Sequence, residues 1–225
     1  GIERMFNPIV SDYFLTFSQK EADFQCEVKE HVLFVEMHPS TMSTIAKLKE
    51  DKVVVGKKHT ILADTPVKLM SKVHQMCSGT VIDEDNEYVI FDRTKAKFIL
   101  KRFKGQKIAI YYKYQSELKM LQEEYGESLT TDVQEFQQTD KIIALQIRAG
   151  STGINLSAAD CQVFLNIDFS SKDWIQAKAR LQTQKRESVD VYLIFSEGGI
   201  ERDIFKSLDK KKDYTSRYFK NEYFK

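Results

Sequence analysis

The chain has 225 residues, 42% of them apolar, with 34 basic and 33 acidic side chains and a net charge of +1. That apolar fraction supports one large packed domain, or one domain with an extension, and excludes global disorder. The balanced charge neither demands nor excludes nucleic acid, and it leaves room for a local basic surface.

In chain order, Phe24 to Met37 alternates apolar and polar residues and predicts an extended strand pair. His38-Pro39-Ser40 breaks it, and Ser40 is placed to cap a short helix through Glu50. Thr65-Pro66 reads as a helix start, a hydroxyl cap followed by proline at the first helical position. Val67, Met70, Val73 and Cys77 give that helix an apolar stripe, and Gly79 is its expected stop. Val81 to Asp85 ends in acidic residues and imitates a magnesium-binding strand end. Its continuation through Asn86-Glu87 into Tyr88 to Phe91 reads instead as a hairpin with a polar turn.

From about Thr94 helices and strands alternate. Helix Thr94 to Phe103 is followed by strand Lys107 to Tyr112, helix Ser116 to Tyr125 ended by Gly126, and a short helix near Thr131 to Gln138. Then come strand Ile142 to Gln146, a small polar loop, strand Cys161 to Ile167, helix Ser171 to about Gln182, strand Val189 to Phe195 and helix Gly199 to Leu208. Near-continuous apolar strands separated by helices predict an α/β fold, a parallel sheet with helices on both faces. The organisation expected is a lead-in over 1–93, with extended and helical segments, a main domain over 94–209, and a basic, aromatic tail over 210–225 forming a surface helix or a frayed end.

No run of eighteen apolar residues and no basic-then-apolar leader occurs, so a cytoplasmic protein with no membrane partner is expected. Cys26, Cys77 and Cys161 are far apart without a CxxC, and read as buried small hydrophobes rather than metal ligands. No metal site is expected. His74 and Trp174 read as packed helix residues, and Tyr111 and Tyr112 as strand residues.

The small loop Ala149-Gly150-Ser151-Thr152-Gly153-Ile154-Asn155-Leu156-Ser157-Ala158-Ala159-Asp160 leaves the carboxyl end of a strand, where open parallel sheets form their ligand crevices. Its glycines, hydroxyls and exposed N–H groups suit phosphate oxygens. The plainer reading is a segment start packed tightly on a strand. A phosphate loop, GxxxxGK[S/T], is absent: Gly56-Lys57-Lys58 lacks the first glycine and the hydroxyl, and Gly105-Gln106-Lys107 precedes a strand instead of following one. The GxGxxG spacing of a dinucleotide-binding enzyme is absent too.

The loop resembles motif V of superfamily-2 helicases in their Swi/Snf-type form. Gln176-Ala177-Lys178-Ala179-Arg180 resembles the start of motif VI, QAxxR, and Lys107 to Tyr112 with Lys113-Tyr114-Gln115 resembles motif IV. Leu69 to Cys77 is similar to the helix leading into the second motor lobe, and the resemblance spans roughly residues 24 to 208. It implies a RecA-like C-terminal lobe that shares an ATP cleft, with Mg2+, with an N-terminal lobe carrying the phosphate loop. A compact bacterial or phage protein would suit it. By the same resemblance, Gly150, Ser151, Thr152, Lys113 and Gln115 would meet nucleic acid, with DNA expected and RNA open. Gly153, Asn155 and Gln176 would face the ATP cleft, and Arg180 and Arg186 would reach the nucleotide phosphates, a task suited to arginine's charged fork.

The family pattern has a second arginine three residues after the first. Here that position is Thr183, so Arg186, one turn further on, is the candidate substitute. The plain alternatives are an ion-paired helix arginine for Arg180 and a surface turn charge for Arg186. The rival to the half-motor is a non-catalytic RecA-like adaptor that binds nucleic acid or protein.

Overall fold

The computed structural model describes residues 26–148, 154, 156–180, 186–210 and 214–215. The elements run β1 (Glu27–Val35), α1 (Pro39–Asp51), β2 (Val53–Val55), β3 (Thr60–Leu62), α2 (Pro66–Cys77), β4 (Thr80–Ile82), β5 (Tyr88–Ile90) and α3 (Thr94–Arg102). There follow β6 (Ile108–Tyr112), α4 (Gln115–Tyr125), a 3₁₀ turn, β7 (Leu129–Thr130), α5 (Val133–Gln138), β8 (Ile142–Gln146), β9 (Cys161–Phe164), α6 (Ser171–Ala179), β10 (Ser188–Ser196) and α7 (Glu201–Asp209).

Six strands form one sheet in the order β1-β10-β9-β6-β8-β7, and every pairing in it is parallel. Period-2 alternation sorts β6 into two cores. Ala109 and Tyr111 join one apolar cluster, and Ile108, Ile110 and Tyr112 join the other. The first cluster takes Leu69 and Val73 of α2, Trp174 of α6 and Ile204 of α7, while the second takes Ile99 of α3 and Leu121 of α4. Helices therefore cover both faces, as the apolar strand runs predict. Trp174 is 1% exposed and meets Phe164 edge-on at 4.9 Å. The three cysteines are buried and none is in a disulfide.

Several sequence expectations change. Residues 24–37 do not make a strand pair. Glu27–Val35 is one edge strand running parallel to β10, in register from Glu27↔Ser188 to Val35↔Ser196. The stretch holds no Gly, Pro, Asn or Asp with which to turn, and its half-exposed alternation is that of a sheet edge. The first helix starts at Pro39 with His38 as its cap, rather than at Ser40. Proline's fixed φ is already helical at the first position. Val67 is 58% exposed and falls off the predicted stripe, whose buried positions are Leu69, Met70, Val73, Met76 and Cys77. β9 ends at Phe164, although the chain stays buried to Asp168. Tyr214 of the tail is 3% exposed, and its N–H donates to the Phe169 carbonyl at 2.8 Å. An aromatic ring is worth burying where an apolar groove is offered, so this residue neither frays nor sits on the surface.

Other expectations hold. Thr65 caps α2 through Lys68 N–H at 3.3 Å. Gly79 follows with φ +87°, where a side chain would strike the Asp92 carbonyl. β4 and β5 pair antiparallel around the polar turn. The β2–β3 hairpin around Gly56-Lys57-Lys58, with Gly56 N–H bonded to the His59 carbonyl at 2.9 Å, has strands too short to register as periodicity.

Candidate functional site

The carboxyl ends of β6, β8 and β9 meet in a charged cluster. Asp168, four residues past β9, has no exposed side-chain surface. Its carboxylate takes the Arg148 guanidinium at two contacts, 3.0 and 3.2 Å, and sits 3.4 Å from Lys113 Nζ. It also accepts the N–H groups of Phe169 at 2.6 Å and Ser170 at 3.3 Å. Burial alone would push this carboxyl up. The Lys113 and Arg148 charges and these hydrogen bonds outweigh it and hold Asp168 below its ordinary value.

Arg148 follows β8 and is 64% exposed, so one face of its guanidinium meets solvent while Asp168 and, at 3.2 Å, Asp173 hold the other. Lys113 lies 3.3 Å over the Phe169 ring, and burial lowers its pKa to about 8 despite the Asp168 charge.

A second layer fixes these positions. Glu117 of α4 accepts from the N–H groups of Lys113 at 2.8 Å and Tyr114 at 3.0 Å, and from Asn166 Nδ2 at 2.7 Å. One buried carboxylate thus ties the end of β6 to the segment beyond β9. His74 of α2 is fully buried beside Tyr114 and Phe169, its Nδ1 3.2 Å from the Tyr114 hydroxyl. Burial first, then the nearby lysine charges, holds it well below its ordinary value and neutral.

Of the residues singled out in the sequence, Lys113 belongs to this cluster. Gln115 is exposed at the start of α4 beside it. Gln176 is exposed on α6. Arg180, just past α6, donates to the Ile147 carbonyl at 3.2 Å and lies 5.6 Å over the Tyr111 ring. Burial raises the Tyr111 pKa to about 12, against the pull of Arg180. Arg186 donates to the carbonyls of Ser157 and Ala159, both at 2.7 Å. Arg180 therefore grips the chain just before the small loop, and Arg186 grips the loop's last residues. Gly150, Ser151, Thr152, Gly153 and Asn155 lie outside the described residues.

Sequence reasoning missed Arg148, Asp168, Glu117 and Asn166. The available signal was position: Arg148, Asn166 and Asp168 each lie just beyond the carboxyl end of a parallel strand. It also missed the pair Lys95–Glu201, both 0% exposed and 2.6 Å apart, at the end of β10. Among the described residues, His59, Asp83 and Glu87 bring ligand atoms within 4.8 Å of one another. Asp83, however, accepts the turn N–H groups of Asp85 at 3.0 Å and Glu87 at 2.7 Å, the work of a hairpin turn.

Of the cluster's two cations, Arg148 keeps a half-exposed guanidinium at the sheet's carboxyl ends that suits a phosphate oxygen, while Lys113 Nζ is buried behind it.

The chain aligns over 88% of its length, and 96% of the other chain, with the C-terminal part of the Fun30 ATPase domain (TM-score 0.59, 14% identity). It aligns over 93% of its length with the Sulfolobus solfataricus SWI2/SNF2 ATPase core domain, covering 48% of that chain (TM-score 0.54, 17% identity). Its fold is that of the C-terminal lobe of a Swi/Snf-like ATPase. The same SWI2/SNF2 core in complex with dsDNA matches over 97% of this chain and 51% of its own (TM-score 0.50, 17% identity). In sequence, 73 residues are 34% identical to chromodomain-helicase-DNA-binding protein 1 of Homo sapiens and of Gallus gallus. That segment is 32% of this chain and only 4% of those relatives. No family model matches the chain. Among the described residues no helix is long and apolar enough to cross a membrane.

Proposed function

We propose that the chain is the C-terminal motor lobe of an ATP-dependent DNA translocase or helicase, acting in the cytoplasm. It supplies motifs IV, V and VI to a cleft shared with an N-terminal RecA-like lobe, and turns over no ATP without that lobe. The reading rests chiefly on one observation: Arg180 holds the chain just before the small loop and Arg186 holds the loop's last residues, beside the strand ends where Arg148 keeps a charged edge toward solvent. A loop held at both ends and flanked by cations is fit to couple two anionic ligands, a nucleotide and a phosphate backbone. ATP with Mg2+ supplies the phosphoanhydride whose hydrolysis drives the motor. The chain's own groups orient: Arg148 presents charge, Asp168 and the buried Lys113 fix its geometry, and Glu117 and Asn166 lock the strand ends. The dsDNA bound by the SWI2/SNF2 core of similar fold supports DNA as the nucleic acid, with RNA the alternative.

A second reading has one specific observation in its favour. Arg180 and Arg186 both donate to backbone carbonyls, and Thr183 stands where the second motif VI arginine is expected. A non-catalytic adaptor that binds nucleic acid or protein would need no more than that. The test is DNA-stimulated ATP hydrolysis by the chain joined to its first lobe, with Arg180→Ala beside it. We expect hydrolysis that Arg180→Ala abolishes while ATP still binds. Brisk hydrolysis by this chain alone would sink the half-motor, and no hydrolysis by the joined lobes would favour the adaptor.

A further inference from the structure

The chain carries one net charge, yet residues 93–107 hold seven cations and no carboxylate. Lys95 is buried against Glu201, and Arg93 pairs with Glu123. The remainder have no such outlet: among the described residues, no ion pair uses Lys97, Lys101, Lys104 or Lys107. Lys97 and Lys101 are one helical turn apart on α3, and Lys104 lies in the turn just past its end. Like charges at that spacing repel and cost the helix stability. A favourable interaction with the helix's negative C-terminal end accounts for Lys101 and Arg102, but not for Lys104 or Lys107 beyond its last turn.

These lysines line a groove of about 770 Å³ at the amino ends of β6 and β8, the opposite end of the sheet from the Asp168 cluster. Its floor is apolar, formed by Ile99, Phe103 and Ile108. Gly105, at φ +79° with open space around it, turns the chain sharply between Lys104 and Lys107. Its wall also holds two carboxylates, Asp140 and Asp160, the latter accepting the Lys107 N–H at 2.7 Å, against the four lysines Lys97, Lys101, Lys104 and Lys107.

We propose that this groove is a second nucleic-acid site, taking the sugar–phosphate backbone of duplex DNA away from the motor cleft. Lys97 and Lys101 stand about 6 Å apart along the helix, at ~1.5 Å per residue, and Lys104 follows beyond its end. At ~3.4 Å of axis per phosphate in one strand, the helical pair spans about two phosphates and Lys104 is placed to meet a third. The apolar floor suits sugar faces. An acidic peptide would also need partners for its backbone groups, which a rim of lysine side chains and an apolar floor does not supply. The inference shares with the proposed function only the class of ligand, and its test separates the two.

The test is fluorescence anisotropy of this chain with a labelled duplex of about 24 base pairs, titrated from 50 to 200 mM salt. The triple variant Lys97→Glu/Lys101→Glu/Lys104→Glu is compared with its Lys→Gln counterpart, a guard against misfolding, and with Arg148→Glu in the cleft. We expect both groove variants to weaken binding at least tenfold. The slope of log K against log salt should become shallower by about 2–3, at ~0.9 for each phosphate that the variant no longer neutralises. Unchanged affinity and slope in the Lys→Gln variant overturns the groove, as does an absence of duplex binding, or polyglutamate binding there in place of DNA. Weakening by the groove variants but not by Arg148→Glu upholds the groove and counts against the cleft. The converse result does the reverse.

Discussion

Two buried ion clusters sit at the carboxyl ends of the same parallel sheet, and they differ in how they meet solvent. At the end of β10, Lys95 and Glu201 are sealed, each 0% exposed, and Glu201 also accepts from the Ser196 hydroxyl at 2.6 Å. Through that hydroxyl, which bonds the Cys77 carbonyl at 3.2 Å, the pair binds α2, α3, β10 and α7 together. Past β9, Asp168 is equally sealed, but its partner Arg148 is 64% exposed. One cluster is closed on itself and can only hold the fold. The other keeps a charged edge facing out, where a ligand anion can compete with Asp168 for the guanidinium. The same chemistry is structural or available to a ligand according to whether one partner keeps contact with water.

The largest expected effect breaks the sealed pair. Lys95→Met strands Glu201 in the interior and should cost about 3–5 kcal/mol in urea unfolding. Lys95→Met/Glu201→Leu removes both charges and should recover most of that loss. The remainder, about 1 kcal/mol, reflects the Ser196 N–H left without its acceptor, while the Ser196 hydroxyl keeps the Cys77 carbonyl. A double variant no more stable than the single one would show that the pair holds the four elements by charge and not merely by filled space.

Next comes Asp168→Asn. Its amide oxygen can still accept from Phe169 and Ser170, but its NH2 replaces the oxygen that takes the Arg148 Nε–H, so the charge and that hydrogen bond are withdrawn and about 1–3 kcal/mol should be lost. With Asp173 as its remaining carboxylate partner, Arg148 is held less tightly, so DNA affinity should hold or rise as stability falls. Stability and affinity falling together would mean that Asp168 builds the binding surface rather than restraining it.

That contrast between the clusters was only partly legible in the sequence. The parallel sheet was, because β6, β8, β9 and β10 are apolar on both faces and their helices carry clear caps and stops. β1 was not assigned to it, since a half-exposed edge strand reads like half of a hairpin until its partner is known, and that partner lies about 160 residues away. In the site, the small loop and the Gln176–Arg180 helix stood out through residue types rare in a core. Asp168, Glu117 and Asn166 did not, because a lone carboxylate or amide acquires meaning only from what the fold brings beside it. Arg180 and Arg186 face a nucleotide only by the resemblance to motif VI, which could not reveal that both guanidinium groups reach backbone carbonyls.

The smallest effect sharpens the comparison by titration. Lys113 shares Asp168 with Arg148, and burial brings its pKa down to about 8 from an ordinary 10.5. Between those values the unfolded chain holds a proton that the folded chain has released, so this group makes stability rise with pH. Buried Tyr111, raised to about 12, works the other way, but only as pH climbs past the ordinary tyrosine value near 10. His74, held neutral in the fold, costs stability only as pH falls below about 6.5. From pH 8 to 9.5 the buried Cys77 and Cys161 thiols, each raised to about 12, also act against stability as their unfolded counterparts ionise, so Lys113 is isolated by comparison with Lys113→Met, in which both thiols remain. At ~1.4 kcal/mol per proton per pH unit, partly titrated, the wild-type chain should gain about 1.5 kcal/mol across that window relative to Lys113→Met. Parallel curves for the two proteins would mean that Lys113 keeps its charge in the fold and is as open to water as Arg148. The Asp168 cluster would then be exposed on both sides, and its contrast with the sealed Lys95–Glu201 pair would be sharper still.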